Sequence, residues 1–462
     1  MKKPIIILFF ILVHTGTNAN IILPAIFSDH MVLQQKSTVT IWGWAKSKEP
    51  IKLTVSWEPT KEYKIETGAQ STWSFNVTTL VAGGPYQITI QGYNTVQIND
   101  VLIGEVWLGS GQSNMEWTTA AKITNGEEEK AKANYPQIRF FTVLPSAATS
   151  PQQHLNGQWV VCTPESMNHF SAVLYFFGRE IHEKIKVPVG LICSAWGGTP
   201  IETWMSEHSI VDDKLLNANA KLLKPSIYGP VEPGRIYNCM IHPLIPFKIK
   251  GALWYQGEAN VDNGNLYARS LTTLINSWRA AWGYDFPFYF VQIAPWAGYG
   301  KEGASGAIVR DQQRKVLEST KGTGMVVVSD IGDLVDIHPK NKIDVGKRLA
   351  AWALHNDYGF IDIKFSGPFY QSYEIKKDKA IIHFNYAEGG LIAKDGDLKE
   401  FEILDREKWI SASARINGSV VEIDVKSVKT LKGIRFGYRN DSNPNLFNKA
   451  NLPASCFEIV ID

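Results

Sequence analysis

The residues best suited to covalent chemistry in this chain follow short apolar runs. Val106-Trp107-Leu108 leads into Gly109-Ser110-Gly111-Gln112-Ser113-Asn114-Met115, and Leu191-Ile192-Cys193 leads into Ser194-Ala195-Trp196-Gly197-Gly198-Thr199-Pro200. Ala252-Leu253-Trp254-Tyr255 precedes Gln256-Gly257-Glu258, and Val326-Val327-Val328-Ser329 precedes a loop that ends in Asp336-Ile337-His338-Pro339. A hydroxyl, a glycine-rich loop, a carboxamide and an imidazole are the parts of a nucleophile, an oxyanion hole and a general base.

Ser113 is the candidate nucleophile. Gly109 and Gly111 allow a sharp turn after the strand, and the residues that follow can open a helix whose free N–H groups face a developing anion. Met115 stands where G-x-S-x-G requires its last glycine, so the α/β-hydrolase elbow is not matched. A plain N-cap is the alternative for Ser113. His338 is the candidate base: acids precede it, Pro339 stiffens its loop, and a neutral imidazole takes a serine proton and later returns it. Asp336 and Asp333 are the candidate acids for its other nitrogen, with Asp336 preferred as the nearer. Gly197-Gly198 suits a backbone N–H that must approach a ligand closely, and the Gln256 carboxamide is a further oxyanion donor. Asn114 and Glu258 are candidates for substrate contact or support. Ser194 lacks an evident base, His242 lacks upstream acids, and Cys193 reads as buried packing.

Those residues need elements to hold them. Apolar runs at Val101–Leu108, Val189–Cys193, Ile249–Tyr255, Phe286–Ile293 and Met325–Ser329 alternate with amphipathic stretches at Phe170–Lys184, Leu266–Trp282, Ile308–Ser319 and Lys342–His355. This alternation predicts an α/β domain over 101–362 with a largely parallel sheet, whose ligands bind at the strands' carboxyl ends. Period-two runs such as Thr38–Trp44 and Tyr86–Ile90 predict a sandwich-like β module over 20–100, and Ala380–Tyr386, Val420–Val425 and Gly433–Tyr438 a second over 363–462. Residues 1–19, with Lys2 and Lys3 before an apolar stretch and Thr17-Asn18-Ala19 at the cut, read as a secretory signal peptide, so the mature protein is expected in the periplasm or outside the cell.

The balance of 47 Lys+Arg against 45 Asp+Glu leaves a net charge of +2, without the basic excess that nucleic acid demands. After signal cleavage no membrane partner is expected, and the oligomeric state is open. The 4 cysteines are scattered, and neither a metal-ligand motif nor a nucleotide motif occurs, so no metal and no cofactor is expected.

Taken in order, Gly111–Met115, Gly197–Glu202, Trp254–Glu258 and Asp336–Pro339 resemble the sialate O-acetylesterase family of the SGNH-hydrolase superfamily, as do Tyr237–Pro246 and Leu23–Gln34. The resemblance implies a three-layer flavodoxin-like core, Ser113 as nucleophile, His338 as base, and an oxyanion hole of Ser113 N–H, Gly198 N–H and the Gln256 side chain. Two positions depart from the wider superfamily: Gln256 stands where Asn is usual, and Val335 where D-x-x-H places its acid. Asp336 from a shorter spacing, or a backbone carbonyl, then orients His338. The expected activity is exported serine esterase action on an O-acetylated sugar, 9-O-acetylated sialic acid first, acetylated xylan or pectin as the alternative. A non-catalytic glycan-binding protein is the reading from another class, supported by 15 Trp and the two β modules.

Overall fold

The computed structural model describes residues 20–300, 303–426 and 428–461. The expected signal peptide, 1–19, lies outside them. At the centre is a sheet built from β1 (Thr95–Gly111), β2 (Tyr135–Thr142), β3 (Trp159–Cys162), β4 (Val189–Ala195), β5 (Gly251–Tyr255), β6 (Phe288–Val291) and β7 (Thr323–Val326). The order is β7-β6-β5-β1-β4-β2-β3, parallel throughout except for the edge pair β2–β3. The strands β4 and β5 are buried along their whole length, which is why they read as unbroken apolar runs.

Helices α2 (Ala172–Ile185) and α5 (Lys342–Asp357) pack together on one face, and α3 (Tyr267–Trp282) and α4 (Ser305–Ser319) on the other. Alternation along β6 shows the two faces: Tyr289 meets Trp352 of α5, while Phe288 meets Trp278 of α3. The abundant tryptophan is largely core. Trp107, Trp159, Trp204, Trp254 and Trp278 are fully buried, and this removes most of the composition argument for sugar stacking.

The expected boundary at residue 100 falls inside one strand. Up to Asp100, β1 alternates between buried and exposed and pairs with Gly83–Gln91 of the N-terminal module; from Val101 every residue is buried. One strand therefore serves both sheets, and burial changes there while the chain runs on. At the other end, two four-stranded sheets, one centred on Lys379–Asn385 and one on Leu431–Phe436, enclose a second apolar core containing Ile382, Phe401, Val421 and Phe436. Among the described residues no helix is long and apolar enough to cross a membrane.

Candidate active site

The register of the central strands brings the candidate residues together. Gly111 is level with Ala195 on β4 and with Tyr255 on β5. The segments Gln112-Ser113, Trp196-Gly197-Gly198 and Gln256-Gly257-Glu258 thus leave the sheet side by side at its carboxyl edge, where an open α/β sheet binds ligands. Gly111 has φ +134°, and a Cβ there would stand 2.2 Å from the Tyr255 carbonyl oxygen, so the turn into the serine requires glycine. Ser113 opens the short helix α1 (Ser113–Glu116), as its flanking residues suggest.

His338 reaches the same place from the loop after β7. Its Nε2 lies 2.9 Å from Ser113 Oγ, the distance for a serine hydroxyl donating to a neutral ring. Burial pushes the imidazole below its ordinary pKa, and the nearby Lys342 ammonium pushes the same way; the Asp336 charge opposes them. A neutral ring at moderate pH is the state a general base needs.

The acid is not where a triad would put it. Asp336 Oδ1 is 3.7 Å from His338 Nδ1, beyond hydrogen-bond length, and accepts the His338 backbone N–H at 2.9 Å instead. Its side chain remains 43% exposed. Asp333 Oδ1 accepts the N–H groups of Val335 and Asp336, closing a turn. Among the described residues no carboxylate or carbonyl is hydrogen-bonded to Nδ1, so neither expected way of orienting the ring occurs. The face of the ring is occupied instead: the Trp117 indole lies flat on it, centroids 4.0 Å apart and planes 16° apart.

The Gly197-Gly198 loop lies against the serine. A Cβ on Gly197 would stand 3.2 Å from Ser113 Cβ, and Gly198 holds φ +73°. Glu116 Oε2 accepts the Gly197 N–H at 2.8 Å and fixes the loop; burial raises this carboxyl's pKa, with the Gly197 bond opposing. Among the described residues the Ser113 and Gly198 N–H groups have no partner, which suits an oxyanion hole. The expectation for Gln256 needs correction. Its Nε2 donates to Thr199 O at 3.2 Å and Asn260 Oδ1 at 2.8 Å, and its Oε1 accepts from Tyr267 at 2.7 Å. With both amide protons committed, this buried carboxamide ties the glycine loop to β5 and has no donor left for an oxyanion.

Asn114 and Glu258 are placed as supports. Asn114 Nδ2 donates to Glu258 Oε1 at 2.7 Å and to the Ile337 carbonyl at 3.0 Å. Lys342 Nζ donates to Asn114 Oδ1 at 2.5 Å. The residue after the serine is thereby joined to the residue before the histidine. Burial lowers the Lys342 pKa to about 7, while Glu258 and Asp336 oppose the shift; burial also raises Glu258. Lys342, Trp117 and Glu116 were not anticipated from sequence. Lys342 opens a helix and reads as a solvated cation, whereas Glu116 and Trp117 stand within four residues of Ser113, a proximity that could have marked them.

The lesser candidates have structural partners. Ser194 Oγ donates to the Met240 carbonyl at 2.9 Å, His242 Nδ1 pairs with the Gln152 carbonyl at 2.9 Å, and Cys193 is buried with its thiol pKa pushed up.

Residues 103–355 match the family model described as carbohydrate esterase, sialic acid-specific acetylesterase. The chain is 30% identical over 427 residues to the sialate O-acetylesterase of Homo sapiens, covering 84% of this chain and 81% of that protein. To that of Rattus norvegicus it is 29% identical over 449 residues, covering 83% of each. A solved carbohydrate acetylesterase from Xanthomonas citri is 34% identical, with a TM-score of 0.86 over 95% of this chain and 99% of that one. With that similarity and the three-layer core just described, the chain belongs to the sialic acid-specific acetylesterase family of carbohydrate esterases and is a hydrolase.

Proposed function

We propose that the protein is an exported serine esterase that removes O-acetyl groups from a sugar through an acetyl-enzyme. The observation that carries this reading is the 2.9 Å approach of His338 Nε2 to Ser113 Oγ beside two backbone N–H groups that have no partner among the described residues. Ser113 Oγ attacks the acetyl carbonyl carbon as its proton passes to Nε2, and the carbonyl electron pair moves onto oxygen. Ser113 N–H and Gly198 N–H receive that oxyanion. Collapse expels the sugar oxygen, which takes the proton from the imidazolium. Water then attacks the acetyl-enzyme by the same steps in reverse roles, releasing acetate and free Ser113. Export to the periplasm or cell exterior is part of the proposal and rests on the composition of residues 1–19.

O-acetylated sialic acids, the 9-O-acetylated ones first, are the substrates of this reading; the relatives' name, sialate O-acetylesterase, supports the sialate and leaves the acetyl position to experiment. A cation for the sugar carboxylate then has to be found. Arg310 is buried and donates to the Gly437 and Arg439 carbonyls, and Arg269 pairs with Asp213. Arg235 is half-buried and in no ion pair among the described residues. Its neighbours Gly234 and Ile236 donate to Glu202 and Thr203, just after the Gly198 loop. The commitment of the other two arginines favours a second reading, acetylated neutral polysaccharide such as xylan. Acetate release is to be measured across acetylated sialic acids, xylan and pectin. Arg235→Ala is expected to raise KM for acetylated sialic acid and leave p-nitrophenyl acetate unaffected. Ser113→Ala is expected to lose activity by a factor on the order of a million while staying folded. A folded Ser113→Ala protein retaining more than about a hundredth of the activity refutes the mechanism.

A further inference from the structure

The His338 imidazole is poised on Ser113 without a hydrogen bond to its second nitrogen among the described residues, so something else must set the plane of the ring. Four residues after Ser113, and one helical turn away, stands Trp117. Its N–H donates to the Ser113 carbonyl at 2.8 Å, and its carbonyl accepts from Ala172 N at 2.9 Å, so its backbone is fixed at the end of the serine's own helix. The indole Nε1 is buried with no partner among the described residues, so its orientation is not set by that N–H. What the indole does contact is the imidazole, face to face at 4.0 Å.

We propose that Trp117 is the positioning residue of the base: its indole face fixes the plane of the His338 ring and favours the imidazolium that forms as Ser113 loses its proton. The inference rests on the Ser113–His338 reading above. The negative face of an indole attracts a cation lying over it. That attraction exists once the ring is protonated and is weaker before, so it acts where charge develops. The other charged groups around the imidazole are Asp336 on its own loop and Lys342 at the start of α5, with Glu258 beyond Asn114. Asp336 favours the protonated ring and Lys342 disfavours it. Neither side chain is hydrogen-bonded to the ring among the described residues, whereas the indole lies flat on it. One short helix then carries both the nucleophile and the plate that aligns its base.

The test uses the full-length protein with p-nitrophenyl acetate, with Trp117→Leu and Trp117→Phe compared over pH. Leucine keeps the site covered and removes the aromatic face. Trp117→Leu is expected to lower kcat at least about tenfold with KM within about threefold. Its acid limb should move to lower pH by about half a unit, because loss of the face destabilises the imidazolium. Trp117→Phe is expected to recover most of both. Unchanged kcat and acid limb in Trp117→Leu, or equal losses in the two variants, overturn the proposal. The wild-type protein gives a test independent of any variant's folding. The carbon-bound ring protons of His338, assigned by their loss in His338→Gln, should be shifted upfield by the indole ring current. Resonances at ordinary histidine positions overturn the proposal as well. Failure of the underlying reading looks different: Ser113→Ala would stay active while the ring-current shift persisted.

Discussion

His338 has a partner it touches and a charge it does not. Nε2 is 2.9 Å from Ser113 Oγ, whereas Asp336 stands 3.7 Å from Nδ1 with its oxygen spent on a backbone N–H. An amide oxygen can accept that backbone bond equally well, so Asp336→Asn should keep the loop and lose only the charge. Where an acid is bonded to the ring, the same change costs about ten-thousandfold in kcat, through the tautomer it no longer fixes. Here the expected loss is within about tenfold, since a half-exposed charge acts through space. Asp336 raises the His338 pKa, so its removal lowers it, and the acid limb of kcat/KM moves to lower pH. A ten-thousandfold loss would mean that the carboxylate swings onto Nδ1 during turnover and would sink this account. Asp333→Asn, measured beside it, should keep its turn for the same reason and show an acid limb close to wild type. That Ser113 and His338 meet was legible in the sequence, because each closes a buried run and has the chemistry the other lacks. The engagement of Gln256 was not, because it depends on Tyr267 and Asn260, whose side chains take up its amide. Nothing in a linear reading separates a free carboxamide from a fully bonded one.

Two elements meet through one amide. Asn114, on α1, accepts from Lys342, the first residue of α5, and donates to Glu258 after β5 and to the carbonyl that precedes His338. A buried amine and a buried carboxyl are thus joined by a residue that has both a donor and an acceptor. Lys342→Met removes the amine that donates to Asn114. Losing that donor leaves the buried Asn114 oxygen unpaired, and a loss of about 1–3 kcal/mol is expected in urea unfolding. Lys342 lowers the His338 pKa, so its removal raises it, and the acid limb should move to higher pH, opposite to Asp336→Asn. A variant with wild-type stability and an unmoved limb would show that Lys342 is neutral and idle. The helices α2, α3, α4 and α5 were legible from their apolar periodicity within a few residues. The β2–β3 edge was missed. Pro136 and the buried Arg139 interrupt the apolar run of β2, and inside the protein Arg139 is met by the Pro136 carbonyl and by Asp100 of β1, an ion pair between residues 39 apart.

At the scale of the whole molecule, the C-terminal module does more than cover the core. Asn440, fully buried, lies on the loop after that module's strand Leu431–Phe436 and holds the segment after β6 from several sides. Its side chain accepts from Gly306 N at 2.8 Å and donates to the carbonyls of Tyr299 at 3.2 Å and Gly300 at 2.9 Å, while its carbonyl accepts from Trp296 N at 2.7 Å. That segment in turn holds the loop of His338: Trp296 Nε1 donates to the Val335 carbonyl at 3.2 Å, and Ala297 N donates to that of Leu334 at 3.0 Å. A path of hydrogen bonds therefore runs from a residue about a hundred positions beyond His338 to the stretch just before Asp336. The sequence showed two β modules and an α/β core but could not show this path, because most of its links are backbone groups brought together by the fold. Asn440→Ala keeps the backbone link to Trp296, removes the side-chain links to Gly306, Tyr299 and Gly300 that brace the same segment, and leaves buried N–H and C=O groups unpaired, at about 1–3 kcal/mol for each group left unsatisfied. If the module positions the loop, kcat for p-nitrophenyl acetate should fall about tenfold to a hundredfold at a temperature where the variant is fully folded, since misplacement by about 1 Å can cost that much. Trp296→Phe, which removes the Val335 bond and keeps the ring, should lower kcat in the same direction, and the double variant should lose less than the product of the two losses, because both act on one path. Full kcat in Asn440→Ala beside a lowered unfolding midpoint would reduce the module to a stabilising cover, and multiplicative losses would place the two residues on separate routes to the loop.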